Sequence, residues 1–362
     1  MDGAGLACPI TDREGYAMDP GRCPKLLVLG SGPDDGERVA GLVEALSSCG
    51  LACTGAIESR PSKIAVILQE ASPDLAFCTA FRAVDDSGKA IHLQDLCSRV
   101  GVSWIGSSSE TLELALSKSR MKERWRAEGV ATPDWFTVPR LADGSLGDVQ
   151  RIEEARAFPY IVKPDAEGNS RGIDADSVVR TPLELYARTR SVVEAYGGAL
   201  VESFLGNAGA REFTAAMIGN GEKALVGATE IVKHEGGEWV VTNDAKDGHR
   251  TMVEPIADRK LRGKVERFAH RAFMAAAVRD YARCDIILEG GRLSAIELNG
   301  QPMVPDRWFE ACAAGAGLDA RQYLRAIVLA GMARVSREGQ SFLRIPPRLA
   351  ASLPEAVVKR LV

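Results

Sequence analysis

The stretch CDIILEGGRLSAIELN (284–299) constrains this chain more than any other. Two runs of apolar and polar residues flank a Gly-Gly pair, the pattern of neighbouring antiparallel strands joined by a tight turn. Side chains alternate across a strand, so Glu297 and Asn299 share a face. Whether Asp285 joins them depends on register. A two-residue Gly290–Gly291 turn would set Asp285 opposite Ile296. A three-residue loop over 290–292 would set Asp285 opposite Glu297 and Arg283 opposite Asn299. The three-residue loop is expected, because it gathers those four polar residues on one face. It also leaves Ile286, Leu288, Ile296 and Leu298 together on the other. Taken alone, such a charged face is more often a solvated surface strand.

Acidic and amide oxygens are the hard ligands that magnesium takes, and magnesium held by carboxylates almost always serves phosphates. A triphosphate also needs cations. Residues 161–172 read IVKPDAEGNSRG, a β-branched run ending in Lys163 and Pro164, then a loop with Gly168, Asn169, Ser170 and Gly172. Glycines suit a backbone that bends closely around a phosphate. The order reverses that of the P-loop, GxxxxGK[ST], in which the lysine follows the glycines. Lys118 stands near a helix start and Lys246 in a polar, Gly-rich stretch over 236–250. Each lysine alone reads as a solvated side chain; their meaning lies in combination with the hairpin.

The rest of the chain supplies the frame. KLLVLG (25–30) and PDLAFCTAF read as buried parallel strands, VSWIG as a further strand, and 37–49 and IHLQDLCSRVG as helices. Strand and helix thus alternate over roughly 80 residues, a small doubly wound α/β unit. Ser109 and Ser117 each open a helix, and Gly129 closes the second. Strands follow at YIVKP, GALVESFL, EFTAAMIG and ALVGATEIV, with helices at 182–196 and about 258–279. The 362 residues suggest two or three domains. A net charge of −4, with 46% hydrophobic and 26% charged residues, is the balance of an ordinary globular protein, and nothing in it suggests a nucleic-acid or membrane-surface protein. The first 22 residues lack the apolar core of a signal peptide, and no run approaches the roughly 20 apolar residues of a membrane span. The eight cysteines form no CxxC, so buried, reduced thiols in a cytoplasmic protein are expected.

Strand-Lys-Pro-(x)2-Glu-Gly-x-Ser-x-Gly, then Val-Glu, then Glu-Phe-Thr, then Asp…Glu-x-Asn, resembles the ATP-grasp fold, and within it the D-alanine–D-alanine ligase group. The resemblance covers roughly residues 24–340 and implies the fold class: an N-terminal doubly wound α/β domain plus two subdomains clamping ATP between antiparallel sheets. The boundaries it implies are an extension over 1–22, an α/β domain over 23–116, a lid subdomain over 117–205, a metal-binding subdomain over 206–345 and a tail over 346–362. Lys118 and Lys163 would contact the α- and β-phosphates, and Glu167 to Gly172, with Gly168, Asn169 and Ser170, would cover them. Glu202 would accept from the adenine amino group, with the backbone from Ser203 to Leu205 reading the base edge. Glu212 would bind the ribose hydroxyls. Lys246 would reach the γ-phosphate. Asp285, Glu297 and Asn299 would hold two magnesium ions, manganese being an alternative. Arg283, with Lys246 and Ser170, makes the catalytic set.

The activity implied is ATP-dependent, ADP-forming joining of a carboxylate to an amine through an acyl phosphate. Its partners would be small molecules, neither nucleic acid nor membrane, in a homodimer. The ATP half matches the family pattern and the amino-acid half departs from it. The family's Asn-Thr-x-Pro-Gly-Met becomes NGQPMVP, so Met303 stands where a glycine N–H is usual. A Ser-Leu pair becomes PDRWFEA, offering Arg307. The Gly-Gly-x-Ser-x-Glu loop becomes GSGPDDGER, offering Asp34, Asp35 or Glu37. The His-Gly pair expected after LAFCTAF is replaced by FRAVDDSG, and Asn169 replaces a serine. That split favours another substrate pair in specialised metabolism over cell-wall D-alanyl-D-alanine synthesis. Rival readings are an NAD-dependent oxidoreductase, from Gly30, Gly32, Gly36 and Glu58, a non-catalytic ATP-binding scaffold, and a phosphotransferase.

Overall fold

A computed structural model describes residues 23–32, 35–85, 87–168, 171–207, 209–233, 251–340 and 343–362. The described residues open with β1 (Lys25–Gly30), β2 (Ala52–Ile57) and β3 (Leu75–Cys78), three parallel strands in the order β2-β1-β3. Both faces of β1 are covered, which is why it reads as an unbroken apolar run. Leu26 and Val28 meet the helices Gly36–Ser47 and Gln322–Arg337; Leu27 and Leu29 meet Pro61–Ala71 and Leu93–Arg99. VSWIG does not become a strand. It contributes one parallel bridge, Trp104 to Ala76, because the chain turns at Gly106 towards the next helix. A small hairpin, β4 (Arg82–Val84) and β5 (Ala90–His92), stands beyond the carboxyl end of β3.

Helices Ser109–Leu116 and Lys118–Ala127 follow. The first is capped by Ser108, one residue before the expected start. The second begins after Ser117, but its first turn is held by Asp165, which accepts from the Ser119 N–H at 2.7 Å and from its hydroxyl at 2.7 Å. An antiparallel sheet in the order β6-β9-β7-β8 comprises β6 (Trp135–Pro139), β7 (Tyr160–Pro164), β8 (Val178–Val179) and β9 (Gly198–Ser203). Helix Pro182–Tyr196 covers one side of it, burying Leu185, Val192 and Val193.

The largest sheet is antiparallel, in the order β12-β11-β10-β13-β14: β10 (Arg211–Ile218), β11 (Leu225–Lys233), β12 (Thr251–Pro255), β13 (Tyr281–Glu289) and β14 (Arg292–Asn299). Phe213, Ala215, Met217, Cys284, Ile286 and Leu298 pack against helix Arg259–Ala275. By strand alternation, Thr214, Arg283 and Asp285 face the other way. On that side helix Arg307–Gly315 lies so close to β11 that a Cβ at Gly227 would stand 2.0 Å from the Cys312 carbonyl oxygen.

The hairpin departs from expectation in an instructive way. Its turn has two residues, Gly290 and Gly291, both at positive φ, and Glu289 pairs with Arg292. A β-bulge then skips Ile296: Ile286 pairs with Ala295, but Asp285 with Glu297 and Arg283 with Asn299. The bulge, rather than a longer loop, brings the four polar residues into register. Ile296 consequently leaves the apolar face and is half-buried, and Leu293 and Ala295 enter the core beside Ile286.

Helix Gln322–Arg337 ties the parallel sheet to the large one. Arg334 makes a bidentate pair with Asp280, Nε to Oδ1 and Nη2 to Oδ2, both at 2.9 Å, and its Nη2 also donates to the Trp104 carbonyl at 2.6 Å. Asp280 further accepts from the Gly106 N–H at 2.8 Å and from Asn220 at 2.9 Å. Short helices Pro347–Ala351 and Glu355–Leu361 bury Leu349, Val357 and Leu361 in the same core. Among the described residues the cysteines are free thiols; Cys49, Cys78, Cys97, Cys284 and Cys312 are buried, Cys53 is half-buried and Cys23 exposed. No described helix is long and apolar enough to cross a membrane.

Candidate active site

β7 carries Lys163 into a buried position at its carboxyl end. Lys163 pairs in register with Leu200, so Glu202, two residues along β9, lies diagonally on the same face. The Lys163 ammonium meets Glu202 Oε1 at 3.0 Å. A second ammonium, from Lys122, touches Glu202 Oε2. Lys122 is completely buried, donates to Thr132 Oγ1 at 2.6 Å and lies over the Trp135 ring. Burial alone would raise the Glu202 carboxyl, but the Lys122 and Lys163 charges outweigh it and hold it below the usual range. Burial pulls Lys122 down to about 8, against the opposing charge of Glu202.

Lys118 stands one helical turn before Lys122, on the same side of the helix. It is nearly buried, and its ammonium lies 3.5 Å from Glu297 Oε1 while donating to the Glu167 carbonyl. This lysine connects the loop after β7 to the hairpin of the large sheet. Two charged clusters result: Lys163, Glu202 and Lys122 in one, and Lys118, Glu297, its cross-strand neighbour Asp285, Arg283 and Asp306 in the other. Arg283 Nη1 donates to Asp306 Oδ2 at 3.2 Å, its Nε lies 3.6 Å from Asp285 Oδ1, and its guanidinium faces the Trp308 ring at 5.6 Å. Thr214 Oγ1 donates to Asp285 Oδ1 at 2.8 Å, and Asn299 Oδ1 accepts from the Gln301 N–H at 3.2 Å. Two carboxylates and an amide from neighbouring strands form an oxygen donor set with cations on its flanks, which fits a hard divalent ion.

The loop after Lys163 is anchored at both ends. Glu167 pairs with Arg171 at 3.3 Å, and Gly168 is half-buried. Gly172 has φ +71°, and a Cβ there would meet Pro164 at 2.7 Å and Tyr196 at 2.8 Å, so the loop closes only on glycine. Asn169, Ser170, Lys246 and Asp34 lie outside the described residues. At the end of β9 the Ser203 N–H donates to the Asp134 carbonyl at 2.9 Å, and the Phe204 N–H to Pro159 at 3.1 Å. Those two donors are engaged within the protein, whereas Leu205 is half-buried beyond them. Glu212 is half-buried on β10, opposite Ile287 and Ile231.

The substrate-side candidates Asp35 and Glu37 lie beyond the carboxyl end of β1. Asp35 does not extend a free carboxylate: Oδ2 accepts from the Ser31 and Gly32 N–H groups at 2.9 and 3.0 Å, and Oδ1 from Arg38 at 2.5 Å. Burial would raise the Asp35 carboxyl, but these bonds hold it below its ordinary value. They also take up the N–H groups that a dinucleotide pyrophosphate would use. Glu58 pairs with Arg60 at 3.0 Å. Glu37, Met303 and Arg307 are exposed, Arg307 being the first residue of its helix. Where a His-Gly pair is missing, Arg82 and His92 both bond Glu113 Oε1, His92 at 2.6 Å. Gln301 closes this end, donating to the Cys78 and Ala80 carbonyls at 2.8 and 3.1 Å.

Sequence reasoning missed Lys122, Thr214, Asp306 and Gln301. Only Lys122 left a signal, its spacing of four from Lys118; the others acquire meaning from partners distant in the chain.

The D-ala D-ala ligase C-terminus family model matches residues 124–329. A D-alanine–D-alanine ligase of Desulforudis audaxviator is 27% identical over 281 residues, covering 74% of this chain and 88% of that protein. Among solved structures, the D-alanine–D-alanine ligase of Bacillus anthracis complexed with ATP superposes with a TM-score of 0.65 at 19% identity, covering 88% of this chain and 100% of the other. A D-Ala:D-Ser ligase of Enterococcus faecalis gives 0.63 at 18% identity, covering 85% and 99%. The fold is ATP-grasp, and the class is that of ATP-dependent, ADP-forming carboxylate–amine ligases. The chain belongs to the D-ala D-ala ligase C-terminus family. That membership sets aside the oxidoreductase reading.

Proposed function

We propose that this chain joins the carboxylate of one amino acid to the amino group of another, with D-alanine the first candidate for both. The names of the relatives support that choice. The observation that carries the reaction is the bulge-set register of β13 and β14, which places Arg283, Asp285, Glu297 and Asn299 together, linked by Lys118 to the phosphate loop.

A carboxylate resists nucleophiles because resonance and charge both oppose attack. Its oxygen takes the γ-phosphoryl group of ATP in line, the bond to the bridging oxygen breaks, and ADP leaves. Lys118 and Lys163 bind the phosphates and offset their charge. Asp285, Glu297 and Asn299 would hold magnesium, which when bound neutralises phosphate charge. The neutral amine then attacks the acyl carbon. Arg283, fixed by Asp306 and Asp285, stabilises the tetrahedral oxyanion. Phosphate departs with the C–O bond, the nitrogen loses its proton, and an amide remains. A homodimer is proposed from the family resemblance alone, and light scattering tests it.

A second reading, a different second amino acid, is favoured by one feature. Met303 and exposed Arg307 follow the metal strand where the family pattern has a glycine and a Ser-Leu pair. The similar Enterococcus faecalis structure is named as a D-Ala:D-Ser ligase, a name with a different second amino acid. The test is a phosphate-release screen of amino acids, singly and in pairs, with ATP and magnesium. Release with D-alanine alone supports the first reading, and release only with a pair supports the second. ADP formation without free phosphate would mark a phosphotransferase and refute both.

A further inference from the structure

We propose that Lys122 positions Glu202 and thereby sets the preference for a purine that donates, rather than accepts, a hydrogen bond at its six-position. The inference rests on the reading of Glu202 as acceptor for the adenine amino group. Glu202 lies between two ammonium groups, Lys163 on Oε1 at 3.0 Å and Lys122 on Oε2. The two are not equivalent. Lys163 stands at the end of β7, where the phosphate loop begins, so a phosphate competes with Glu202 for the same ammonium. Lys122 is fixed in place. It is completely buried, its ammonium donates to Thr132 Oγ1 at 2.6 Å, and that hydroxyl donates onward to the Ala295 carbonyl of β14 at 2.8 Å. The Trp135 ring lies 5.5 Å away on another side.

Lys122 is therefore the cation that keeps Glu202 ionised while Lys163 serves phosphate. A buried carboxylate deprived of its cation takes up a proton. Ionised, Glu202 only accepts, which suits the amino group of adenine and repels the carbonyl oxygen of hypoxanthine. Protonated, it both donates and accepts, and the distinction is lost. Lys122 acts through Glu202 and touches neither phosphate nor the reacting atoms.

The experiment is calorimetric titration of the full chain with ATP and with ITP between about pH 6 and 9, for the wild type, Lys122→Met, Thr132→Val and Glu202→Gln. The wild type prefers ATP by a ratio that is flat with pH until Lys122 begins to lose its charge near pH 8. In Lys122→Met the ratio falls about tenfold or more, the scale of a lost hydrogen bond to a charged group, and recovers as rising pH ionises Glu202 again. Thr132→Val, which keeps the charge but frees the ammonium, shifts the ratio less and in the same direction. Equal weakening of both nucleotides in Lys122→Met, beside a collapsed ratio in Glu202→Gln, makes Lys122 a mere support and overturns the proposal. Should Lys122→Met not fold, an unchanged ratio in Thr132→Val overturns it. An unchanged ratio in Glu202→Gln removes the adenine role of Glu202, and this inference with it.

Discussion

Replacing Gly227 by alanine couples the packing of the large sheet to its chemistry. The added Cβ would stand 2.0 Å from the Cys312 carbonyl oxygen and 3.0 Å from the Ala316 nitrogen, both backbone atoms of or beside helix Arg307–Gly315. Ordinary contact begins near 3.4 Å, so strand and helix must separate by about 1.4 Å. Neither can yield cheaply, since Cys312, Ala313 and Ala228 are all buried. Overpacking of this kind costs about 1–3 kcal/mol, and occasionally more. The same helix is capped by Asp306 and carries Trp308, the two groups that hold Arg283. A displacement on the order of 1 Å at a reacting group costs about a hundredfold in rate. Gly227→Ala should therefore lower the thermal midpoint by several degrees and reduce amide-forming turnover far beyond the loss of folded protein. Gly41→Ala is the control. Gly41 is in the interior of helix Gly36–Ser47 with nothing within 4 Å of its missing Cβ, and should gain about 0.5–1 kcal/mol. Calorimetry and an ADP-release assay on both variants decide the matter. A Gly227→Ala protein as stable as the wild type would refute the packing argument. One that is destabilised yet fully active would refute the link to Arg283.

Two further outcomes follow from buried charge. Arg334→Met leaves Asp280 buried without its bidentate partner and should cost about 3–5 kcal/mol in denaturant unfolding, as breaking a buried pair does; a loss below about 1 kcal/mol would contradict it. Glu202, whose carboxyl is held below its ordinary value of 4.5, contributes stability that is complete above that value and lost as pH falls through its folded value. The gap in thermal midpoint between wild type and Glu202→Gln should thus be widest near neutrality and close in acid; a gap independent of pH would show that the carboxylate's charge is not what stabilises the fold.

Much of this architecture was legible because local patterns and tertiary needs agree. Buried strands such as KLLVLG read as apolar runs, and helix Pro182–Tyr196 fell on its expected residues because Thr181 and Pro182 open it and Gly197 closes it. The hairpin was legible in outcome and not in cause. Its facing of Asp285 and Glu297 comes from a bulge at Ile296, which strand alternation alone does not reveal. Glycines at both turn positions sufficed for the two-residue turn. Thr214 and Asp306 stayed hidden because each contacts a residue 71 or 23 positions away, so neither spacing nor composition betrays it. Asp35 reads as an available carboxylate, but the folded loop consumes it. VSWIG has strand character without a strand's ladder, since among the described residues it forms a single bridge, to Ala76.

In the proposed reaction a carboxylate oxygen takes the γ-phosphoryl group before any amide forms. That step is tested most directly by supplying the turned-over amino acid with 18O in its carboxylate and reading the released phosphate by 31P NMR. One 18O is expected in each phosphate wherever the carboxylate is fully labelled, with loss of that signal in Glu297→Ala and the fold preserved. Amide product accompanied by unlabelled phosphate would contradict it.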